Sequence, residues 1–398
     1  MTRPRIAFVA SNDTHVRMFA PVAERLRSQG HATTVFSLDA YYGQGAGAAA
    51  HAQGMQVVDI ERPRGALPGG RFYRRGTIAI WLDVIRARPA VRSALRAAPI
   101  DAVVVGNDRG LLEKLALIEA RRAGSRSVLI QDGRLAPRPR SSNPVGWVKR
   151  RAKAIASALL RALGLAHLAA SDYGEWGVDL ICASGSASAR LLAARAGSRS
   201  RIMVTGQPRY DAMNRFRAAR PSRRWDAVMI TTPFEHSGLG REYQDRQLTV
   251  AAGLAEWAER NGRRIAIKPH PREDVEAYRT AAGEGYVVST SSDLLLGEAG
   301  MAVIGISTLV EESAIVGCPV VVPGAFIHGD DFDAVLPPKS VYPRCENLPD
   351  LVAWIERLRA PSERVALLES QTAYVDEQVD WRSGVPAAER VATAMLES

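Results

Sequence analysis

Arg5-Ile-Ala-Phe-Val-Ala10, then polar Ser11-Asn12-Asp13-Thr14-His15, then an amphipathic run from Val16 to Gln29 closed by Gly30, is the stretch that decides the fold. A short apolar run, a polar turn, a helical period and a glycine stop read as strand, loop, helix and helix end. The same rhythm continues outward. Ala32 to Leu38 supplies the next strand, and Ala102 to Val105 and Ser127 to Ile130 two more, with helical Leu111 to Ala123 between them. Strands alternating with helices require right-handed crossovers, and these build a parallel sheet.

The pattern pauses at Arg134 to Pro144, rich in Pro, Arg and Ser, and a basic helical stretch follows from Trp147 to about Ala166. It resumes with the strand Leu180 to Ala183, the helix Ala187 to Ala196 and the strand Ile202 to Thr205. Gly206-Gln-Pro-Arg-Tyr-Asp211 reads as the crossing into a second domain. That domain opens on the apolar run Ala227 to Ile230, followed by a helix near Glu242 to Asn261 and a strand Arg264 to Ile267. Tyr286 to Ser289, Met301 to Ile304 and Pro319 to Val322 are its further strand candidates, and Leu351 to Arg359 and Arg364 to Asp376 its closing helices. The expected division is 1–205, an acceptor-side domain; 206–375, a nucleotide-binding domain; and 376–398, a helical tail that could pack back on the first. The fold class is α/β, two Rossmann-like doubly wound domains facing a central cleft.

A chain of 398 residues exceeds what one core usually supports, in keeping with that division. The start, Met1 to Ile6, carries no apolar signal segment, so a cytoplasmic protein is expected. The stretch nearest to a membrane span, Ala154 to Ala170, is broken by Arg161 and does not read as one. Cys182, Cys318 and Cys345 show no paired spacing and read as buried free thiols. A net charge of +10 suits an anionic partner, but no recognition helix, zinc finger or aromatic strand motif points to nucleic acid.

Three stretches could carry chemistry. In Lys268-Pro-His-Pro-Arg-Glu-Asp274 a strand ends and a helix begins, where ligands of open parallel sheets bind and free helix N–H groups suit a phosphate. His270 there could donate to the leaving phosphate of a nucleotide or simply cap the loop between its prolines, and Lys268 and Arg272 beside it tilt the reading toward an anion. Gly305 to Pro319 repeats the arrangement: Ser307 and Thr308 could cap a helix or hold a phosphate, with Glu311 and Glu312 in its first turns. In Leu129-Ile-Gln-Asp-Gly133, Asp132 could act as general base or make an ordinary Asp-Gly turn. His15, after the first strand, competes for the base role or is a loop histidine with no chemical task.

Taken together, the chain resembles the GT-B superfamily. It is most similar to bacterial capsule and polysaccharide transferases that use CMP-activated keto-sugars such as sialic acid or Kdo. Those families carry an acidic-acidic-Gly motif, then a His-Pro motif, then a Ser/Thr motif; Gln131-Asp132-Gly133, His270-Pro271 and Ser307-Thr308 follow that order, with Gln131 departing from the second acid. The resemblance implies Asp132 as base, His270 aiding the departing nucleotide, and Ser307 with Thr308 holding its phosphate. Lys268, Pro271, Arg272, Gly206, Gln207, Arg209 and Glu312 complete the expected nucleotide site. UDP-N-acetylglucosamine 2-epimerases resemble the chain at Glu311-Glu312 and Gly317-Cys-Pro319, which would make Glu312 a ribose ligand, but they place a glutamate where Gln131 stands. CDP-glycerol transferases share the His-Pro loop, yet their first-domain base is a histidine followed by glycine.

The expectation is therefore a metal-independent, inverting sugar transfer from a nucleotide-sugar to a sugar or lipid-linked hydroxyl acceptor, with no cofactor. A UDP-sugar transferase or 2-epimerase, a CDP-polyol phosphotransferase and a catalytically silent binding protein stay open. Residues 134–161, basic and interleaved with apolar side chains, could touch an anionic leaflet, cradle a lipid-linked diphosphate acceptor or form a solvated helix face. Asp330-Asp331 reads as surface rather than a metal motif.

Overall fold

The computed structural model describes residues 3–62, 77–133, 135, 151, 155–169, 171–195, 200–213, 223–235, 239–328 and 336–397. Asp330-Asp331 and most of the basic segment 134–161 lie outside these residues. The chain divides into two compact units, Met1–Asp211 with Gln378–Ser398, and Ala212–Glu377.

In the first unit the strands are β1 (Arg5–Ala10), β2 (Ala32–Ser37), β3 (Val57–Asp59), β4 (Ala102–Val105), β5 (Arg126–Ile130), β6 (Leu180–Ala183) and β7 (Arg201–Val204). They form one sheet in the order β3-β2-β1-β4-β5-β6-β7, every pair parallel. The main helices are α1 (Asp13–Ser28), α2 (Thr77–Arg96), α3 (Leu111–Arg122) and α4 (Ser186–Ala193). Alternate residues of each strand feed opposite cores: Val9, Val103, Val105 and Leu129 face one, and Phe8, Val104, Val128 and Ile130 the other. A parallel sheet covered on both faces needs such unbroken apolar strands, which made them legible. β3 was missed because its residues are only half-buried at the sheet edge.

The second unit contains β8 (Ala227–Ile230), α5 (Arg241–Asn261), β9 (Ile265–Lys268), α6 (Val275–Ala282), β10 (Ala302–Ile304), α7 (Leu309–Val316), β11 (Val320–Pro323) and β12 (Arg344–Cys345). Its parallel sheet runs β12-β11-β10-β8-β9. The strand expected at Tyr286–Ser289 does not form. Val287 makes a single bridge to Ile267, after which the chain turns into the helix Ser292–Gly297. The unit closes with α8 (Pro361–Val379), whose Gln371 amide caps the Val320 backbone with bonds of 2.8 and 2.7 Å.

Gly206–Asp211, read as the crossing into the second domain, belongs to the first unit. There the Asp211 carboxylate accepts from the N–H groups of Ala387 and Ala388, both at 2.8 Å, at the start of α9 (Ala387–Glu397). That cap anchors the chain's end, and α9 buries Val391, Ala392 and Met395 against the core that includes Phe19 and Val22 of α1. All three cysteines are free and buried. Among the described residues no helix is long and apolar enough to cross a membrane.

Candidate active site

In the first unit the expected base candidates meet. Asn12 caps α1 by accepting the His15 N–H at 2.8 Å, so the helix starts earlier than its apolar period suggests and His15 sits in its first turn, not in a loop. Its ring is buried against Phe19, with centroids 5.9 Å apart. Nδ1 accepts the Ser11 N–H at 3.4 Å and faces Ser11 Oγ at 3.1 Å, contacts that place an N–H on Nε2. Nε2 lies 3.4 Å from Asp132 Oδ2. Gly106, after β4, makes room for this ring: a Cβ there would meet His15 Cδ2 at 2.8 Å.

Asp132 follows β5 and is the solvent-facing member of the pair, its side chain 24% exposed against 2% for His15. Burial pushes its pKa up, but the His15 hydrogen bond, the positive charge the imidazole bears whenever it is protonated, and the Arg209 guanidinium more than offset this and hold it below the ordinary carboxylate range. Arg209 Nη1 stands 3.7 Å from Asp132 Oδ1.

Gln131, beside Asp132, is buried and wholly structural. Its amide donates to Gly133 O at 2.8 Å and Ser188 Oγ at 2.9 Å, and accepts the Ser184 N–H at 3.0 Å. Gln207 donates to the Gln131 carbonyl at 2.7 Å, while Gly206, at φ +78, lies under the Arg390 and Ala387 side chains. Gly206, Gln207 and Arg209, expected at the nucleotide, are therefore placed around the Asp132 loop in the first unit. The physical reason is the tail: α9 draws 206–211 onto the first core.

Two residues that sequence did not single out shape this site. The Tyr173 hydroxyl accepts the Asp132 N–H at 2.9 Å and donates to Gly106 O at 2.9 Å, tying the β4 and β5 loops together. Asp108, fully buried, accepts from the N–H groups of Gly174 at 3.0 Å and Trp176 at 3.2 Å, and so fixes the turn carrying Tyr173. Both contacts span more than forty residues of sequence, and no local pattern signals them.

In the second unit, the expected donor residues follow β9 and β10. The His270 N–H is bonded to Glu273 Oε2 at 2.8 Å and Thr231 Oγ1 at 2.9 Å, and His270 Nδ1 accepts the Arg272 N–H at 3.2 Å. With Nδ1 accepting, the ring N–H is on Nε2, a donor suited to a phosphate oxygen. Glu273 organises the loop: Gln244, Gln247 and Tyr278 donate to its Oε1 at 2.7, 3.0 and 2.8 Å, and Thr231 Oγ1 bonds Oε2. Lys268 is half-buried, and burial lowers its pKa. It makes no ion pair among the described residues, and a bound anion would compensate that burial.

The α6 N-terminus, expected to offer free N–H groups, is capped by Asp274, which accepts from Glu276 N at 3.0 Å. A phosphate would compete with that carboxylate. The α7 N-terminus differs: Ser307 Oγ accepts the Leu309 N–H at 3.1 Å, and Thr308 makes no side-chain cap. Glu311 is buried and Glu312 partly exposed, so Glu312 is the reachable acid. A cavity of about 340 Å³ beside the His270 loop sets Arg241 and Arg272 against Glu235, Asp245, Glu273 and Asp274. Its excess of carboxylates makes it a poor seat for a diphosphate.

No protein-family model matches the sequence, and no curated protein matches it. Solved structures do. The glycosyltransferase of kitacinnamycin shares 16% identity over 100% of this chain and 99% of its own, with a TM-score of 0.64. A UDP-N-acetylglucosamine 2-epimerase shares 13% over 100% of this chain and 96% of its own, at 0.59. The spinosyn rhamnosyltransferase SpnG, solved with thymidine diphosphate, shares 15% over 99% of this chain and 100% of its own, at 0.57. The two parallel-sheet α/β domains are those of the GT-B fold.

Proposed function

We propose that the chain is a glycosyltransferase that moves a sugar from a nucleotide-activated donor to a hydroxyl acceptor, inverting and without a metal. The observation that carries this reading is the His15–Asp132 pair: an ionised, partly exposed carboxylate held at the carboxyl ends of a parallel sheet. Asp132 takes the acceptor's proton, the acceptor oxygen attacks the anomeric carbon, and the bond to the donor phosphate breaks. The departing phosphate gains negative charge, which His270 Nε2–H, Lys268, Arg272 and the Ser307 and Thr308 hydroxyls are suited to receive, while Glu312 is suited to ribose hydroxyls. Pro271 restricts the loop by fixing its own φ through the pyrrolidine ring.

For the donor we favour a nucleoside diphosphate sugar over a CMP-keto-sugar. Thymidine diphosphate in the spinosyn rhamnosyltransferase supports it, whereas the CMP reading rests on motif order alone. The 2-epimerase neighbour keeps a UDP-sugar epimerase as the second reading. Against it stands Gln131, whose amide cannot shuttle a proton and is committed to structural bonds.

The test is a panel of UDP-, TDP-, GDP- and CMP-sugars, read by thermal shift and by nucleotide release with and without sugar acceptors. Selective stabilisation by one nucleotide, lost in His270→Ala, with turnover lost in Asp132→Asn while stabilisation persists, is expected. Interconversion of a UDP-sugar without nucleotide release would replace the transferase with the epimerase, and full turnover in Asp132→Asn would remove the assigned base.

A further inference from the structure

Residues 155–162 form a helix on the first unit that shows an aliphatic ridge to solvent. Its inner side is ordinary: Leu160 and the following Leu165 pack against the core, and Ser157 is buried. Its outer side is not. Ile155, Leu159 and Leu163 are 70%, 60% and 64% exposed, and the Leu163 N–H bonds Leu159 O at 3.0 Å, continuing the helical spacing. Residues four apart lie above one another on a helix, so the three side chains form one continuous strip. Singly exposed leucines are common on protein surfaces; a contiguous apolar strip marks an interaction surface.

The charge of the sequence that carries the strip indicates what it meets. From Gly133 to Ser171 the sequence holds eight Lys and Arg residues and no Asp or Glu. Arg161, exposed, stands on the helix itself. A second copy of the chain is disfavoured, because a two-fold interface through this helix would set Arg161 against its own copy. The strip is also purely aliphatic, whereas protein–protein hot spots favour Trp, Tyr and Arg and under-represent Leu. Aliphatic side chains on a helix that carries Arg161, in a stretch of sequence with basic residues and no acidic one, match the boundary between anionic headgroups and acyl chains.

We propose that Ile155, Leu159 and Leu163 form a membrane-docking ridge that seats the first unit on an anionic phospholipid surface. The inference does not depend on the transferase reading, and its test does not use activity. The full chain is floated with vesicles of phosphatidylglycerol and phosphatidylcholine, and separately with phosphatidylcholine alone. Binding to the anionic vesicles only is expected, weakened by salt, and reduced at least about tenfold in the double variant Leu159→Ser with Leu163→Ser. That variant removes apolar surface without adding charge, and since both side chains are exposed its Tm should stay near the parent's. Size-exclusion chromatography of both proteins accompanies the assay. The proposal is overturned if the parent does not float with anionic vesicles, if it floats equally with neutral ones, if the double variant floats like the parent, or if the parent is an oligomer that the variant dissolves into monomers.

Discussion

His15 Nε2 stands 3.4 Å behind the Asp132 carboxylate, with the imidazole sealed in the core and the carboxylate partly exposed. The arrangement divides the labour between them. Ser11 holds the far side of the ring, so His15 acts as a fixed donor that keeps Asp132 ionised and oriented, and Asp132 is the group an acceptor can reach.

Asp132→Asn is expected to lower kcat by roughly 10²–10⁴, the usual worth of a general base. His15→Asn, too short to reach the carboxylate, acts differently. Because His15 depresses the Asp132 pKa, its loss raises that pKa, and the acid limb of kcat/KM moves to higher pH. A pH–rate profile of both variants checks this; an unmoved limb in His15→Asn means that His15 does not tune the base.

Tyr173→Phe deletes one oxygen and leaves the Asp132 N–H and Gly106 C=O without their bridging partner. A stability loss of about 1–3 kcal/mol is expected from the orphaned groups. Turnover should fall with it while nucleotide-induced stabilisation stays, since the donor residues lie in the other unit. Denaturant titration and nucleotide thermal shift separate the two effects.

Glu273→Gln places an amide NH2 among groups that already donate, namely Gln244, Gln247, Tyr278 and the His270 N–H. The loop should loosen, with stability down by about 1–3 kcal/mol and the nucleotide thermal shift reduced. Glu276→Gln, on the exposed face of α6, is the control expected to change neither.

His328 is buried, and burial, reinforced by Arg344, pulls its pKa down to about 4. The unfolded chain binds this proton near pH 6.5, so the unfolded state gains protons first as pH falls. Folding stability should therefore decline between about pH 6.5 and 4, by on the order of 3 kcal/mol from this residue. Urea titrations at pH 7 and pH 5 check it: His328→Gln should lose less stability than the parent across that interval.

How much of this was legible depended on distance along the chain. The apolar strands β1, β4, β6 and β8 could be read at their residue positions because a doubly covered parallel sheet demands unbroken hydrophobic runs. The half-polar edge strands β3 and β12 could not, since an edge asks little of its side chains. The helix start at Asp13 was displaced by the Asn12 cap, a bond between side chain and backbone that periodicity does not see.

The same division holds for the candidate site. Sequence alone determined which residues stand at strand ends, and with them the candidates Asp132, His15, His270, Ser307 and Thr308, because strand-end positions follow from local pattern. Only the tertiary structure decided their company: that His15 backs Asp132, that Gln131 is a structural tie, that Tyr173 and Asp108 brace the first site and Glu273 the second. It also drew Gly206, Gln207 and Arg209 to the Asp132 loop, through the contact of Asp211 with a helix 176 residues further on. Local order follows from local propensity, but hydrogen bonds that span the chain exist only once the sheet has closed the distance between their partners.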